Sequence, residues 1–122
     1  MKRVTGIGGI FFKAKDPKAL GEWYRTHLGI EVTAWGGAKF TSEGGGVTAW
    51  TPFKEDTKYF APSQSSFMIN YRVEDLVALI AVLRSEGVEV DGEGDASDYG
   101  RFAWVIDPEG NKVELWEPVA KQ

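Results

Sequence analysis

Tyr99–Pro118, YGRFAWVIDPEGNKVELWEP, is the stretch that decides the fold. Phe102–Ile106 and Lys112–Trp116 are rich in aromatic and β-branched residues, and between them stands Asp107-Pro108-Glu109-Gly110-Asn111, a run of turn formers. The pattern predicts a β-hairpin. Pro108 presets φ for the turn, and Gly110 can take a positive φ that strains other residues. With Ile106 opposite Lys112, Trp104 faces Glu114 and Phe102 faces Trp116. Side chains alternate along strands, so Phe102, Trp104, Glu114 and Trp116 share one face while Ala103, Val105, Val113 and Leu115 share the other. The second face is ordinary apolar core. The first sets one carboxylate among three aromatic rings, and what it encloses is the question of function.

Working back from the hairpin, Phe67–Val73 alternates as a strand, with Met68, Asn70 and Arg72 opposite to Phe67, Ile69, Tyr71 and Val73. Asp75 caps a helix with the apolar stripe Leu76, Leu79, Ile80 and Leu83, and Gly87 ends it. Val88–Val90 reads as a short strand and Gly92–Asp98 as a flexible acidic loop. The same order occurs earlier in the chain. Ile7–Lys15 is a first strand, with Ile10, Phe12 and Ala14 on one face and Gly9, Phe11 and Lys13 on the other. Asp16-Pro17 starts a helix carrying Leu20, Trp23, Tyr24 and Leu28 on one side, closed by Gly29. Glu31–Trp35 is expected as a second strand, and a hairpin follows from Ala38–Phe40 through Thr41–Gly46 to Val47–Trp50.

Laid over each other, Asp16 falls on Asp75, Gly29 on Gly87, and Val47–Pro52 on Val113–Pro118, so that Trp50 aligns with Trp116. Two strand–helix–strand–strand–strand modules are therefore expected, at about 5–52 and 66–119, within one domain spanning 1–122. The connection at 53–65 is too long for a tight turn. Its Phe53, Tyr59 and Phe60 suggest packing against something.

Composition narrows the function classes. A net charge of −4 lacks the basic footprint that nucleic acid requires. No apolar run approaches the roughly 20 residues of a membrane span, and Thr5-Gly6-Ile7-Gly8-Gly9 is no signal-peptide core. The absence of cysteine removes disulfides and thiolate chemistry and accords with a cytoplasmic location. Gly6-x-Gly8-Gly9 has no helix directly after it and Gly44-Gly45-Gly46 is a hairpin turn, so neither is a nucleotide fingerprint. His27, the only histidine, falls in the last turn of the first helix, where the dipole favours it, and has no triad partner.

Two such modules, the recurring "D-P/L…helix…G-[IV]-E-V" and the closing DPEGNKVELWEP together resemble the vicinal oxygen chelate superfamily, which contains glyoxalase I, extradiol dioxygenases, fosfomycin-resistance enzymes and bleomycin-resistance proteins. The resemblance covers roughly Ile7 to Pro118. It implies an α+β fold in which two βαβββ modules curl one mixed sheet into an open cup, and it implies a homodimer. The family's metal ligands would fall on Gly9 and Met68 of the first strands and Thr48 and Glu114 of the last. Of these only Glu114 ligates a divalent ion well, whereas catalytic sites need about three such ligands. A metal-independent protein without cofactor is the expectation.

On this parity the cup is lined by Phe11, Lys13, Phe40, Thr48, Trp50, Met68, Asn70, Arg72, Phe102, Trp104, Ile106, Glu114 and Trp116, an aromatic surface with a few convergent polar groups. Glu114 is expected either to pair with Arg72 or Lys13 or, unpaired among rings, to suit proton transfer. Tyr99 and Arg101 flank the cup mouth. The leading expectation is a protein that binds a small, partly aromatic organic molecule, as bleomycin-resistance proteins sequester theirs, with an acidic balance that tolerates a cationic ligand. One alternative is a glyoxalase-like lyase or isomerase using Glu114 as general base, with Arg72 or Lys13 stabilising developing charge. Another is a structural or regulatory module whose cup is filled by its own Phe53–Phe60 loop.

Overall fold

The computed structural model describes residues 1–28, 30–41 and 46–119. Eight strands and two helices follow in the order β1 (Val4–Ala14), α1 (Pro17–Leu28), β2 (Ala38–Thr41), β3 (Val47–Lys54), β4 (Phe67–Val73), α2 (Leu76–Ser85), β5 (Glu89–Val90), β6 (Asp95–Ser97), β7 (Gly100–Ile106) and β8 (Lys112–Pro118). They build one open mixed sheet in the order β2-β3-β1-β4-β8-β7-β5, with β6 paired to β7. The two halves meet at the antiparallel β1–β4 pair, and in each half the first strand runs parallel to the last, β1 with β3 and β4 with β8. This is the α+β fold with an open mixed sheet that the resemblance implied.

The hairpin that anchored the sequence reading forms in the expected register, with Ile106 opposite Lys112, Trp104 opposite Glu114 and Phe102 opposite Trp116. Its turn is held by Asp107, whose Oδ1 accepts from the backbone of Glu109 and Asn111 while Oδ2 accepts from the Asn111 amide. Those bonds, above all the one from the Asn111 side chain, hold the Asp107 carboxyl below its ordinary pKa. Gly110 takes φ +84°, the left-handed conformation that its lack of Cβ permits.

The convex face carries the helices. Val73, Leu76, Leu79, Ala103, Val105 and Leu115 form a buried cluster that joins α2 to β4, β7 and β8. Asp75 caps α2 through a bond from the Ala78 amide to its Oδ1. Asp16 does the same for α1, accepting from Ala19 at 3.0 Å. Under α1 the packing is aromatic: Tyr24 meets Trp50 edge-on at 5.0 Å, and Trp50 meets Phe12 at 5.4 Å. Trp23, expected on the buried stripe, is instead half exposed at its edge, against Tyr24 and His27.

Three expectations need correction. Glu31–Trp35 forms no strand, because its backbone closes locally, Val32 N bonding Ile30 O and Thr33 N bonding Gly37 O. The first half is thus β–α–β–β. The acidic loop 92–98 contains β6, since Asp95–Ser97 pairs with Gly100–Phe102. The connection between the halves begins at Glu55 rather than 53, as β3 continues to Lys54. The Gly29 cap and the hairpin tip 42–45 lie outside the described residues.

Candidate functional site

Strand parity decides what faces the concave side. β4 turns Met68, Asn70 and Arg72 inward, and the β4–β8 register sets Asn70 beside Glu114 and Arg72 beside Trp116. On the other half, Gly9 pairs with Ala49 and Phe11 with Thr51, so β3 presents Val47, Ala49 and Thr51 to the cup. Trp50 pairs with Ile10 and points to the helix layer instead. Phe40 pairs with Thr48 on that same face and is exposed. Trp50, Phe40 and Thr48 are therefore not cup residues. Trp50 and Trp116 coincide in the repeat alignment but stand on opposite faces, because β3 pairs with β1 in a register that puts Trp50 beside an outward residue.

The cup is divided in two by the chain's own connection between β3 and β4. Phe60 is 0% exposed, packed with Phe11 and Met68 and, at 5.1 Å, against the Phe53 ring. Lys13 reaches over the Phe60 ring at 5.7 Å. Tyr59 stacks on Phe53 at 5.5 Å and meets Trp104 edge-on. Lys112, a residue the sequence reading did not single out, pins this loop. Its Nζ donates to Tyr59 O at 2.8 Å and lies over the rings of both Tyr59 and Trp104. This half of the cup, with Lys13, Met68 and Trp104, is filled.

Glu114 lies beneath that plug, 1% exposed. Tyr59 Oη and Trp104 Nε1 donate to its Oε1, the latter at 2.9 Å, and Asn70 Nδ2 donates to Oε2 at 2.5 Å. Three neutral donors thus hold the carboxylate, in place of the expected pair with Arg72 or Lys13. Arg72 is engaged elsewhere: its Nη1 donates to Val47 O at 2.7 Å and to Ile7 O at 3.3 Å, tying β4 to the β1 and β3 backbones. Burial, then the charge of Glu114, pushes the Tyr59 phenol well above its ordinary pKa, so it remains a donor.

The other half is open. A cavity of about 270 Å³ has Gly8, Ala49 and Val47 as a small-residue floor and the rings of Phe11, Trp35, Tyr99, Phe102 and Trp116 around it. Phe102 and Trp116 lie parallel, 6.1 Å apart, and Trp116 Nε1 is fixed by Tyr99 O at 2.8 Å. Of the sequence-derived candidates, Phe11, Asn70, Phe102 and Trp116 line it. Lys39, Val47, Ala49 and Thr51 line it without having been anticipated, since the phase of β3 could not be read from sequence, whereas Gly8 enters through the β1 bulge and Trp35 from the turn before β2.

Asn70 joins the two halves. Its Nδ2 is spent on Glu114, and its Oδ1 is buried with no hydrogen-bond partner among the described residues, a cost of about 1–3 kcal/mol. A bulge in β1 leaves Gly8 unpaired between Ile7 and Gly9, beside this amide. A Cβ on Gly8 would lie 2.0 Å from Asn70 Oδ1 and 2.9 Å from the Trp116 ring. Gly8→Ala is therefore expected to displace the amide from Glu114 and to destabilise the fold by about 1–3 kcal/mol, read by denaturant unfolding. A variant as stable as the parent would mean that the amide can move freely.

A family model described as a glyoxalase-like domain matches residues 9–116. The chain belongs to the glyoxalase-like domain family. Solved structures share the fold. Methylmalonyl-CoA epimerase from Mycobacterium tuberculosis is 25% identical, with a TM-score of 0.67, and the match covers 97% of this chain and 91% of that one. A variant of the Streptomyces coelicolor methylmalonyl-CoA epimerase, in complex with 2-nitronate-propionyl-CoA, is 24% identical with a TM-score of 0.73, over 96% of this chain and 99% of that one. A glyoxalase/bleomycin resistance protein/dioxygenase superfamily member from Vibrio splendidus 12B01 is 13% identical with a TM-score of 0.58, covering 91% and 97%. No curated protein matches in sequence.

The glyoxalase-like superfamily implies a divalent metal in the cup, and the residues here do not fit one. Gly9 has no side chain, Met68 offers a thioether buried under Phe60, and Thr48 donates to Ile7 O from the opposite face. Both Glu114 oxygens already accept hydrogen bonds. Among the described residues no group of three or more His, Cys, Asp or Glu could hold an ion.

Proposed function

We propose that this glyoxalase-like protein binds a small, flat organic molecule in the open half of its cup. The observation that carries this is the asymmetry of the cup: its own loop seals the half containing Glu114, while the half walled by Phe11, Phe102 and Trp116 is left as an apolar cavity. Such a pocket, with aromatic walls and few polar groups, suits stacking on a planar ligand. Trp35 and Tyr99, both largely exposed, stand at the mouth as further stacking surfaces.

The lyase or isomerase alternative is the weaker. A general base must reach the proton that it removes, and Glu114 is engaged with three donors behind Tyr59. Among the described residues lining the open cavity there is no carboxylate or imidazole. Epimerisation of the kind named for the structural neighbours therefore finds no base there.

The test is calorimetric titration with a neutral two-ring probe, 2-naphthamide, against the parent and against Ala49→Trp, whose indole fills the floor of the cavity. Saturable binding to the parent and loss of at least about ten-fold in the filled variant, with unchanged circular dichroism, is the expected result. That corresponds to losing roughly one buried ring contact. Equal binding to both proteins would place the ligand elsewhere.

A further inference from the structure

The cavity of a protein with net charge −4 contains, among its described lining residues, one charged side chain, and it is a cation, Lys39. Lys39 stands on β2 directly across from Ala49 of the cavity floor. Thr51 follows two residues later on the same face of β3, making it the diagonal neighbour of Lys39. Diagonal positions are about 7–8 Å apart at Cα, within reach of a long side chain. The two side chains share a further property: among the described residues neither the Lys39 ammonium nor the Thr51 hydroxyl has a hydrogen-bond or ion-pair partner. The other cations of the cup are committed, Arg72 to backbone carbonyls and Lys112 to Tyr59 O. Lys13 is placed over Phe60, on the sealed side.

An ammonium and a hydroxyl, both unengaged and set at diagonally adjacent positions of an apolar slot, suit a small anion. We infer that Lys39 and Thr51 form a seat for one and that the ligand of the cavity is a planar organic carboxylate, its ring between the aromatic walls and its carboxylate at the β2–β3 edge. This rests on the reading of the cavity as a binding site and adds the sign of the ligand. It reverses what the overall charge suggests. The net charge is a sum over a surface that the ligand does not touch, whereas the field at the ligand's own charged group is set by the nearest side chain. A carboxylate accepting from an ammonium and a hydroxyl makes charge-assisted bonds, stronger than the neutral bonds that an amide would make there.

The discriminating measurement compares 2-naphthoate with 2-naphthamide by calorimetry on the parent, Lys39→Met, Lys39→Arg and Thr51→Val. Lys39 is exposed and makes no contact on which the fold depends, so its variants are expected to fold. The parent should prefer the carboxylate by about ten-fold or more, the worth of one charge-assisted bond. Lys39→Met should bring the ratio of acid to amide affinity close to one, Lys39→Arg should keep most of the parent's ratio, and Thr51→Val should reduce it by a few-fold. Added salt should weaken the carboxylate alone. If acid and amide bind equally, or if the preference survives Lys39→Met, the anion seat is wrong while the cavity reading stands, provided that Ala49→Trp still blocks both probes. If neither probe binds the parent, the cavity reading fails and the seat falls with it.

Discussion

Glu114→Ala is expected to lower the unfolding free energy by about 3–5 kcal/mol and the melting temperature by roughly 10–20 °C. The loss does not come from a broken ion pair, since Glu114 has none among the described residues. It comes from the Tyr59 hydroxyl, the Trp104 indole and the Asn70 amide, all of which would be left donating to nothing beside a buried void. Glu114→Gln should cost only about 1–2 kcal/mol. Its oxygen can still accept from Tyr59 and Trp104, and its new NH2 can donate to Asn70 once that amide turns over and presents the oxygen that now lacks a partner. Thermal and urea unfolding of the two variants checks this directly. Equal losses would mean that the charge of the carboxylate, rather than its capacity as an acceptor, is what holds the site.

The second large effect concerns the plug. Phe60→Ala removes a fully buried ring from between Phe11, Met68 and Phe53, and should destabilise by about 3–5 kcal/mol. The loop has other ties, from Lys112 Nζ to Tyr59 O and from Ser65 Oγ to Asn111 Oδ1. Local opening of 55–66 should therefore increase before the sheet itself is affected. Hydrogen exchange is the readout: amides of the loop should exchange faster while those of β4 and β8 stay protected relative to the global limit. A loop as well protected as in the parent would show that Phe60 is not what seals Glu114.

The divided cup changes the meaning of the residues that the sequence singled out. Lys13, Met68, Trp104 and Glu114 are inward, as alternation requires, yet they face the chain's own Phe60 and Tyr59 rather than a cavity. Arg72 is inward as well but is consumed by two carbonyls. Phe11, Asn70, Phe102 and Trp116 remain beside open space. Inward position is a property of strand geometry. Accessibility depends on what else the chain brings to the same place, and that is decided by a loop whose path has no sequence period.

Local chemistry settled a good deal. The DPEGN turn fixed the β7–β8 register, because a tight turn allows few pairings and a one-residue slip would have put Glu114 under the helices and Leu115 in the cup. The caps at Asp16 and Asp75 and the apolar stripe of α2 are likewise readable from a few adjacent residues, whereas the cup followed from the family resemblance that the repeated order of elements and the closing hairpin carry. Lost to sequence was the phase of β3, and with it Trp50, Phe40, Lys39 and Thr51. That phase depends on how β3 pairs with β1, a partner more than thirty residues away in the chain. The matching Trp–x–Pro endings suggested one answer, and the pairing Ile10–Trp50 gave the other. Short-range turn and cap energetics therefore wrote the elements into the chain, whereas long-range register and the packing of one irregular loop determined which side chains are left facing a space that a ligand can enter.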